Sequence, residues 1–258
     1  MSMVLHEQRG AVAILTLNNP EQYNALGGSL LVDLGAALDA ALADPSVRAI
    51  MLTGAGKGFC AGAQLGGATF DMGDQVAQMM RGRLNPLLEK MRAAPKPIVV
   101  AVNGAAAGAG VGIALAGDIV IAARSARFIL SFVRLGAALD AGTSLFLQRS
   151  IGVARARALA LTGEALSADK AEQWGLIWKT VDDAELRDAA LATAQRLAEG
   201  PPLSIGLIKT QIESAWAASL SSTLDDEAES QARAFVTEDL REGAAAFVQK
   251  RPARFAGR

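Results

Sequence analysis

The stretch Pro97-Ile98-Val99-Val100-Ala101-Val102-Asn103-Gly104-Ala105-Ala106-Ala107-Gly108-Ala109-Gly110-Val111-Gly112 decides the fold. Its first half is a continuous, β-branched apolar run, the pattern of a strand covered on both faces. The run turns at Asn103-Gly104 and passes through a Gly/Ala segment into a small apolar helix, Ile113 to Ala116. Asp118 to Ala123 then reads as another buried strand. An alternation of strand, loop, helix and strand predicts an α/β layout in which helices cross between strands.

On the N-terminal side the same grammar repeats. Ala11 to Leu17 reads as a buried strand closed by Asn18-Asn19-Pro20. Leu30, Leu34, Leu38 and Leu42 then mark one face of a helix that ends at Asp44-Pro45. Arg48 to Thr53 is a short strand leading into the glycine-rich Gly54-Ala55-Gly56-Lys57-Gly58, and a second helix is expected from about Gly73 to Ala93. After Thr143 the pattern becomes mainly helical, with Ser167 as a cap, Gly175 at the far end and Ile177 to Val181 as the last strand. Helices are expected over Ala184–Glu199, Leu203–Ala218 and from Leu224 into the tail, interrupted by Gly200-Pro201-Pro202. The division expected is an α/β core over 1–200 and a helical C-terminal region over 201–258.

Composition narrows the chemistry. The 258 residues are 51% hydrophobic but only 5% aromatic, so Ala and Gly carry much of the apolar content and backbones approach closely. With 25 basic and 26 acidic residues there is no charge excess for nucleic acid. The one cysteine, Cys60, excludes a Cys-x-x-Cys site. The one histidine, His6, excludes the usual Ser-His-acid triad and argues against a histidine zinc site. No apolar run approaches the roughly 18 residues of a membrane span, and no signal peptide is indicated, so a cytoplasmic location is expected. Chemistry must come from carboxylates, hydroxyls, Lys/Arg or backbone groups.

Three places invite a functional reading. Gly108 to Gly112 follows a strand and opens a helix, as a dinucleotide loop would, but its third glycine comes one residue early. Arg127 also stands near where a ribose-binding acid belongs. These glycines serve either tight strand–helix packing or close approach of a ligand to backbone N–H groups. Phe59-Cys60-Ala61-Gly62-Ala63-Gln64-Leu65 is a second loop of that kind. Two such loops can each offer one N–H to the same oxygen, which is what an oxyanion hole requires. Cys60 itself reads as a small buried hydrophobe. Asp140, in Leu135-Gly136-Ala137-Ala138-Leu139-Asp140-Ala141-Gly142-Thr143-Ser144, is either a helix N-cap or a proton-transfer group. The second reading draws on Ile129, Leu130, Phe132, Leu135 and Leu139 as an apolar surround that raises its pKa. Asp118 is read as structural.

These residues resemble the crotonase (enoyl-CoA hydratase/isomerase) superfamily. The similarity is carried by Ala101-Val102-Asn103-Gly104 with its glycine turn and by Phe59-Cys60-Ala61-Gly62-Ala63. It runs co-linearly from Val12 through Asn18-Asn19-Pro20 to Phe247-Val248-Gln249-Lys250-Arg251. The resemblance implies a spiral ββα core, a C-terminal helical trimerisation region, homotrimers or hexamers, and an acyl-CoA thioester as substrate. Coenzyme A enters as part of that substrate, with no separate cofactor and no metal. It also implies that the N–H groups of Ala63 and Ala109 form the oxyanion hole. Ala61, Gln64, Leu65, Gly108 and Phe132 would line the acyl-CoA site, and Phe247 and Lys250 would meet the nucleotide.

The two glutamates of hydratases in this family fall on Gly112 and Phe132, so ordinary hydration is not expected. Asp140 matches the aspartate of an isomerase branch that includes the ring-epoxide isomerase of phenylacetyl-CoA breakdown. That similarity continues through Gly117-Asp118-Ile119-Val120 and Trp174-Gly175-Leu176-Ile177-Trp178. The expectation is an isomerase using Asp140 as acid and base. A hydratase-like enzyme, an aroyl-CoA dehalogenase-like enzyme and a non-catalytic acyl-CoA-binding relative stay as alternatives. The dehalogenase branch uses a histidine and a tryptophan that are absent at the matching places here. Two local departures from the isomerase pattern stand beside Asp140, namely Leu139 for a proline and Gly142-Thr143-Ser144 for a Gly-Gly-Thr turn.

Overall fold

A computed structural model describes residues 2–64 and 73–258. Among the described residues ten strands form two sheets. The first holds β1 (Val4–Arg9), β2 (Val12–Leu17), β3 (Ala49–Gly54), β5 (Ile98–Val102), β7 (Ile119–Ala123) and β10 (Lys179–Val181), adjacent in that order. The second, smaller sheet holds β4 (Gly58–Cys60), β6 (Ala105–Ala107), β8 (Arg127–Ile129) and β9 (Ala165–Ser167). From β2 to β10 neighbours in the first sheet run parallel, as do β4, β6 and β8 in the second. Only β1 against β2 and β9 against β8 are antiparallel.

The chain makes this pattern by repeating one unit. Each of β3, β5 and β7 passes within a few residues to β4, β6 or β8, and a helical segment returns to the next long strand. The result is a spiral of ββα turns. α1 (Leu30–Ala43) packs on β1 and β2 through Leu30, Leu34 and Leu38, all nearly inaccessible. Each such leucine is worth about 2 kcal/mol of burial. The region expected as one helix over 73–93 is α2 (Gly73–Met79) and α3 (Asn85–Ala93), joined by a π-helical turn at Met80–Leu84. α4 (Ala109–Leu115) is wholly buried and begins four residues earlier than the sequence suggested. After it come α5 (Thr143–Thr162), α6 (Ala168–Trp174) and α7 (Leu186–Ala198). Ser167 caps α6 by accepting the Lys170 N–H, and Gly175 closes it in the left-handed region, as expected.

The C-terminal region holds α8 (Pro202–Ala215), α9 (Leu220–Phe235) and α10 (Glu238–Gln249). The sequence suggested one helix from Leu224 into the tail. It is broken instead at Thr237, whose hydroxyl caps α10 by accepting the Leu240 N–H. Neither β1 nor the second sheet has a signal in the sequence. β1 buries only Val4 and owes its shape to pairing with β2. The strands of the second sheet are three residues long, too short for a period of two to register. No helix among the described residues is long and apolar enough to cross a membrane.

Candidate active site

The second sheet brings the two Gly/Ala loops together, because β4 and β6 are neighbours and each loop follows one of them. The contact is backbone on backbone. A methyl group built on Gly62 would lie 2.6 Å from the Ala107 carbonyl oxygen and 3.2 Å from the Ala109 nitrogen. One built on Gly110 would collide with the Cys60 carbonyl. Gly62 and Gly108 also take φ of +80° and +52°, where a side chain is strained. The glycines therefore serve close packing of the loops, and that packing sets Ala63 and Ala109 on adjacent segments. No hydrogen bond to either N–H occurs among the described residues. Ala109 is the first residue of α4, where the N–H has no intrahelical partner. Gly108 donates to the Ile129 carbonyl at 2.9 Å, which fastens the second loop to β8.

Phe132 is buried in a short 3₁₀ turn at Ser131–Leu135, and its ring comes 3.8 Å from where a Gly108 methyl would sit. It therefore walls the second loop. Ala61 donates to the Tyr23 carbonyl at 2.9 Å, and the Gln64 side chain lies against Gly27. Leu65 lies outside the described residues. Cys60 is inaccessible and burial pushes its thiol up to about 12, so it is an inert hydrophobe.

Asp140 does not cap α5. The capping residue is Gly142, with no side-chain bond, and the Asp140 carbonyl, not its carboxylate, accepts from Thr143 N at 3.0 Å and Thr143 Oγ1 at 2.7 Å. Its Oδ1 is buried without a hydrogen-bond partner. Burial alone pushes the carboxyl up to about 6, with no neighbouring charge involved. Of the residues expected to surround it, Leu130 and Phe132 are buried, whereas Leu135 is 57% exposed.

The turn that presents Asp140 has two left-handed residues in succession, Ala141 (φ +50°) and Gly142 (φ +70°). An alanine there costs on the order of 1 kcal/mol. Ala141 is nonetheless buried, with its carbonyl and methyl pressed onto Gly112 of α4. Any side chain at position 112 would collide with that carbonyl. Nothing in the sequence singles out Ala141 beyond a small residue before a glycine at a helix start.

Phe247 is 86% exposed near the end of α10, and Lys250 closes that helix in the left-handed region. Among the described residues of one chain no hydrogen bond joins Lys250 to Asp140. Asp118, read as structural, accepts the Ile98 N–H at 2.7 Å and pairs with Lys209 at 2.8 Å. A cavity of about 470 Å³ lies elsewhere, lined by Arg92, Phe146, Arg149, Trp178, Glu213 and Trp216, and touches neither loop nor Asp140.

Comparison with known proteins agrees with this geometry. The family described as enoyl-CoA hydratase/isomerase matches residues 7–258. The chain is 43% identical to a 1,2-epoxyphenylacetyl-CoA isomerase of Escherichia coli K12, with both chains fully covered. It is 34% identical to a 2,3-dehydroadipyl-CoA hydratase of the same organism, again with full coverage. The crystal structure of an enoyl-CoA hydratase from Polaromonas sp. JS666 superposes with a TM-score of 0.93 at 36% identity, covering 98% of this chain and 99% of that one. With the spiral ββα core and paired loops in place, the chain belongs to the enoyl-CoA hydratase/isomerase, or crotonase, family.

Proposed function

We propose that this protein is an acyl-CoA isomerase in which Asp140 is the single acid–base group. The observation that carries the reading is the Asp140 carboxyl, whose buried Oδ1 has no partner among the described residues and which burial raises to about 6, beside a Gly112 whose side-chain space is taken by Ala141. A hydratase needs two carboxyl groups, one to activate water and one to protonate carbon. Here the two hydratase positions are Gly112 and Phe132.

One base is enough for isomerisation. The Asp140 carboxylate takes a proton from a carbon of the acyl chain, and the electron pair moves into the thioester carbonyl. The resulting enolate oxygen is stabilised by the N–H groups of Ala63 and Ala109. The same carboxyl returns the proton at a second carbon, which shifts a double bond. In a ring-epoxide thioester the same enolate assists rearrangement of the ring. Composition is conserved, and no redox equivalent is consumed. The name of the 43% identical relative favours the second substrate class.

Ala61, Gln64, Leu65, Gly108 and Phe132 line the acyl-CoA in this reading, and Phe247 and Lys250 meet its nucleotide from a neighbouring subunit. Residues 201–258 form the trimerisation region, an assignment supported by the exposure of Ile212, Trp216, Leu220, Phe235 and Val236. The test is a panel of unsaturated and aromatic CoA thioesters followed by mass spectrometry and ultraviolet absorbance. Isomerisation gives an unchanged mass with an altered spectrum, and a gain of one water in its place rejects the proposal.

A further inference from the structure

Asn24 is wholly buried and left-handed, with φ of +55°. Its side chain bonds only to backbone. Oδ1 accepts the Asn19 N–H at 2.8 Å, while Nδ2 donates to the carbonyls of Gly58 at 2.9 Å, Phe59 at 3.1 Å and Ala55 at 3.0 Å. Asn103, at the end of β5, reaches the same place from the other side. Its Nδ2 donates to Gly56 O at 3.0 Å and Gly58 O at 3.2 Å, and its Oδ1 accepts the Gly54 N–H at 3.1 Å. The Gly58 carbonyl thus receives both amides.

That shared carbonyl sits at the root of both loops. From Gly58 the chain runs through β4 to Ala61 and Gly62, which the turn carrying Asn24 grips again. Ala61 N donates to Tyr23 O at 2.9 Å, and Leu26 N donates to Gly62 O at 2.7 Å. Ala63 follows at once. From Asn103 the chain passes Gly104, where the Lys57 carbonyl leaves no room for a side chain, into β6 and on to Ala109. Ala63 and Ala109 are thus 46 residues apart in sequence, yet Ala63 follows Gly58 by five residues and Ala109 follows Asn103, one of the two amides on the Gly58 carbonyl, by six.

We propose that Asn24 and Asn103 are positioning residues for the oxyanion hole, setting the separation of the Ala63 and Ala109 N–H groups through their common bond to Gly58. This rests on the reading of those N–H groups as the oxyanion donors. The physical demand is strict, because such donors must lie about 2.7–3.1 Å from the developing charge. Misplacement by about 1 Å costs about 10²-fold in rate. Glycine packing brings the tips of the two loops together, and the paired amides tie their roots, where the strands are only three residues long.

The test uses a ¹³C-carbonyl-labelled aryl-acryloyl-CoA bound to the full-length Asp140→Asn protein, with the thioester stretch read by difference infrared spectroscopy. On binding, the stretch should move to lower frequency. Asn24→Ala or Asn103→Ala in that background should abolish most of the shift, whereas a merely structural role would leave the bound carbonyl unchanged. With Asp140 intact, either variant should lower kcat by about 10²-fold with KM nearly unmoved. Asn103 is only half-buried, so its variant keeps the test open if Asn24→Ala fails to fold. A full carbonyl shift and wild-type kcat in folded Asn103→Ala protein overturn the inference. A thioester stretch that does not move even with both asparagines in place removes the oxyanion reading beneath it.

Discussion

Two aspartates end buried segments of this chain and meet opposite fates. Asp118, before β7, is held by the Ile98 N–H and by Lys209, whose side chain is 8% exposed. Burial pushes Asp118 up and Lys209 down, and their mutual attraction opposes both shifts. Asp140, before α5, has the burial without the partners. Burial alone therefore does not distinguish a carboxylate left without donors from one the fold has paired. The difference lies in whether the fold spends its own donors on the group. Around Asp118 it spends a backbone N–H and a lysine. At Asp140 the local donors, Thr143 N and Oγ1, go to the carbonyl instead, and the buried Oδ1 meets no donor among the described residues.

Exchanging the two roles is the sharpest way to break this contrast. Asp140→Asn should reduce turnover of the responsive thioester by about 10³-fold, roughly 4 kcal/mol of barrier, while acyl-CoA affinity measured by calorimetry stays near wild type. Wild-type rates in that variant would reduce Asp140 to a loop residue. Asp118→Ala should do the reverse. It leaves Lys209 buried and unpaired and should cost about 3 kcal/mol of stability in urea unfolding, with kcat of the folded fraction retained. Gly112→Glu, which restores a hydratase carboxylate in sequence, should overpack Ala141 and cost about 1–3 kcal/mol without any hydrated product by mass spectrometry.

The smallest effect concerns stability and pH. The folded state holds the Asp140 proton up to about 6 and the unfolded chain only to about 3.8, so wild-type stability declines as pH rises between those values. Asp140→Asn removes this decline. The variant should therefore have the higher urea midpoint at neutral pH, with its advantage fading below pH 4; an advantage that grew on acidification would contradict the shift.

Much of the frame was legible in sequence because it is written in long apolar runs. Ile98–Val102 announced a strand covered on both faces, and Leu30, Leu34 and Leu38 announced the core face of α1. Ser167 and Gly175 fixed both ends of α6 by cap chemistry alone. The second sheet was not legible, since Gly58–Cys60 and Ala105–Ala107 form strands only because each finds the other. The same tertiary dependence hid the decisive facts of the site. Whether Asp140 caps a helix depends on which atom Thr143 reaches, and no spacing rule reports that. The blockage at Gly112 comes from Ala141, a residue with no chemistry of its own.

The most direct test of the proposal that Asp140 is the single acid–base group is the pH dependence of kcat/KM for whichever thioester of the panel is turned over. One ionisation should govern it, with activity rising through an apparent pKa of about 6 to a plateau and the limb absent from the residual activity of Asp140→Asn. A bell with two carboxylate limbs, or a profile flat through pH 6 in the wild-type enzyme, would contradict it.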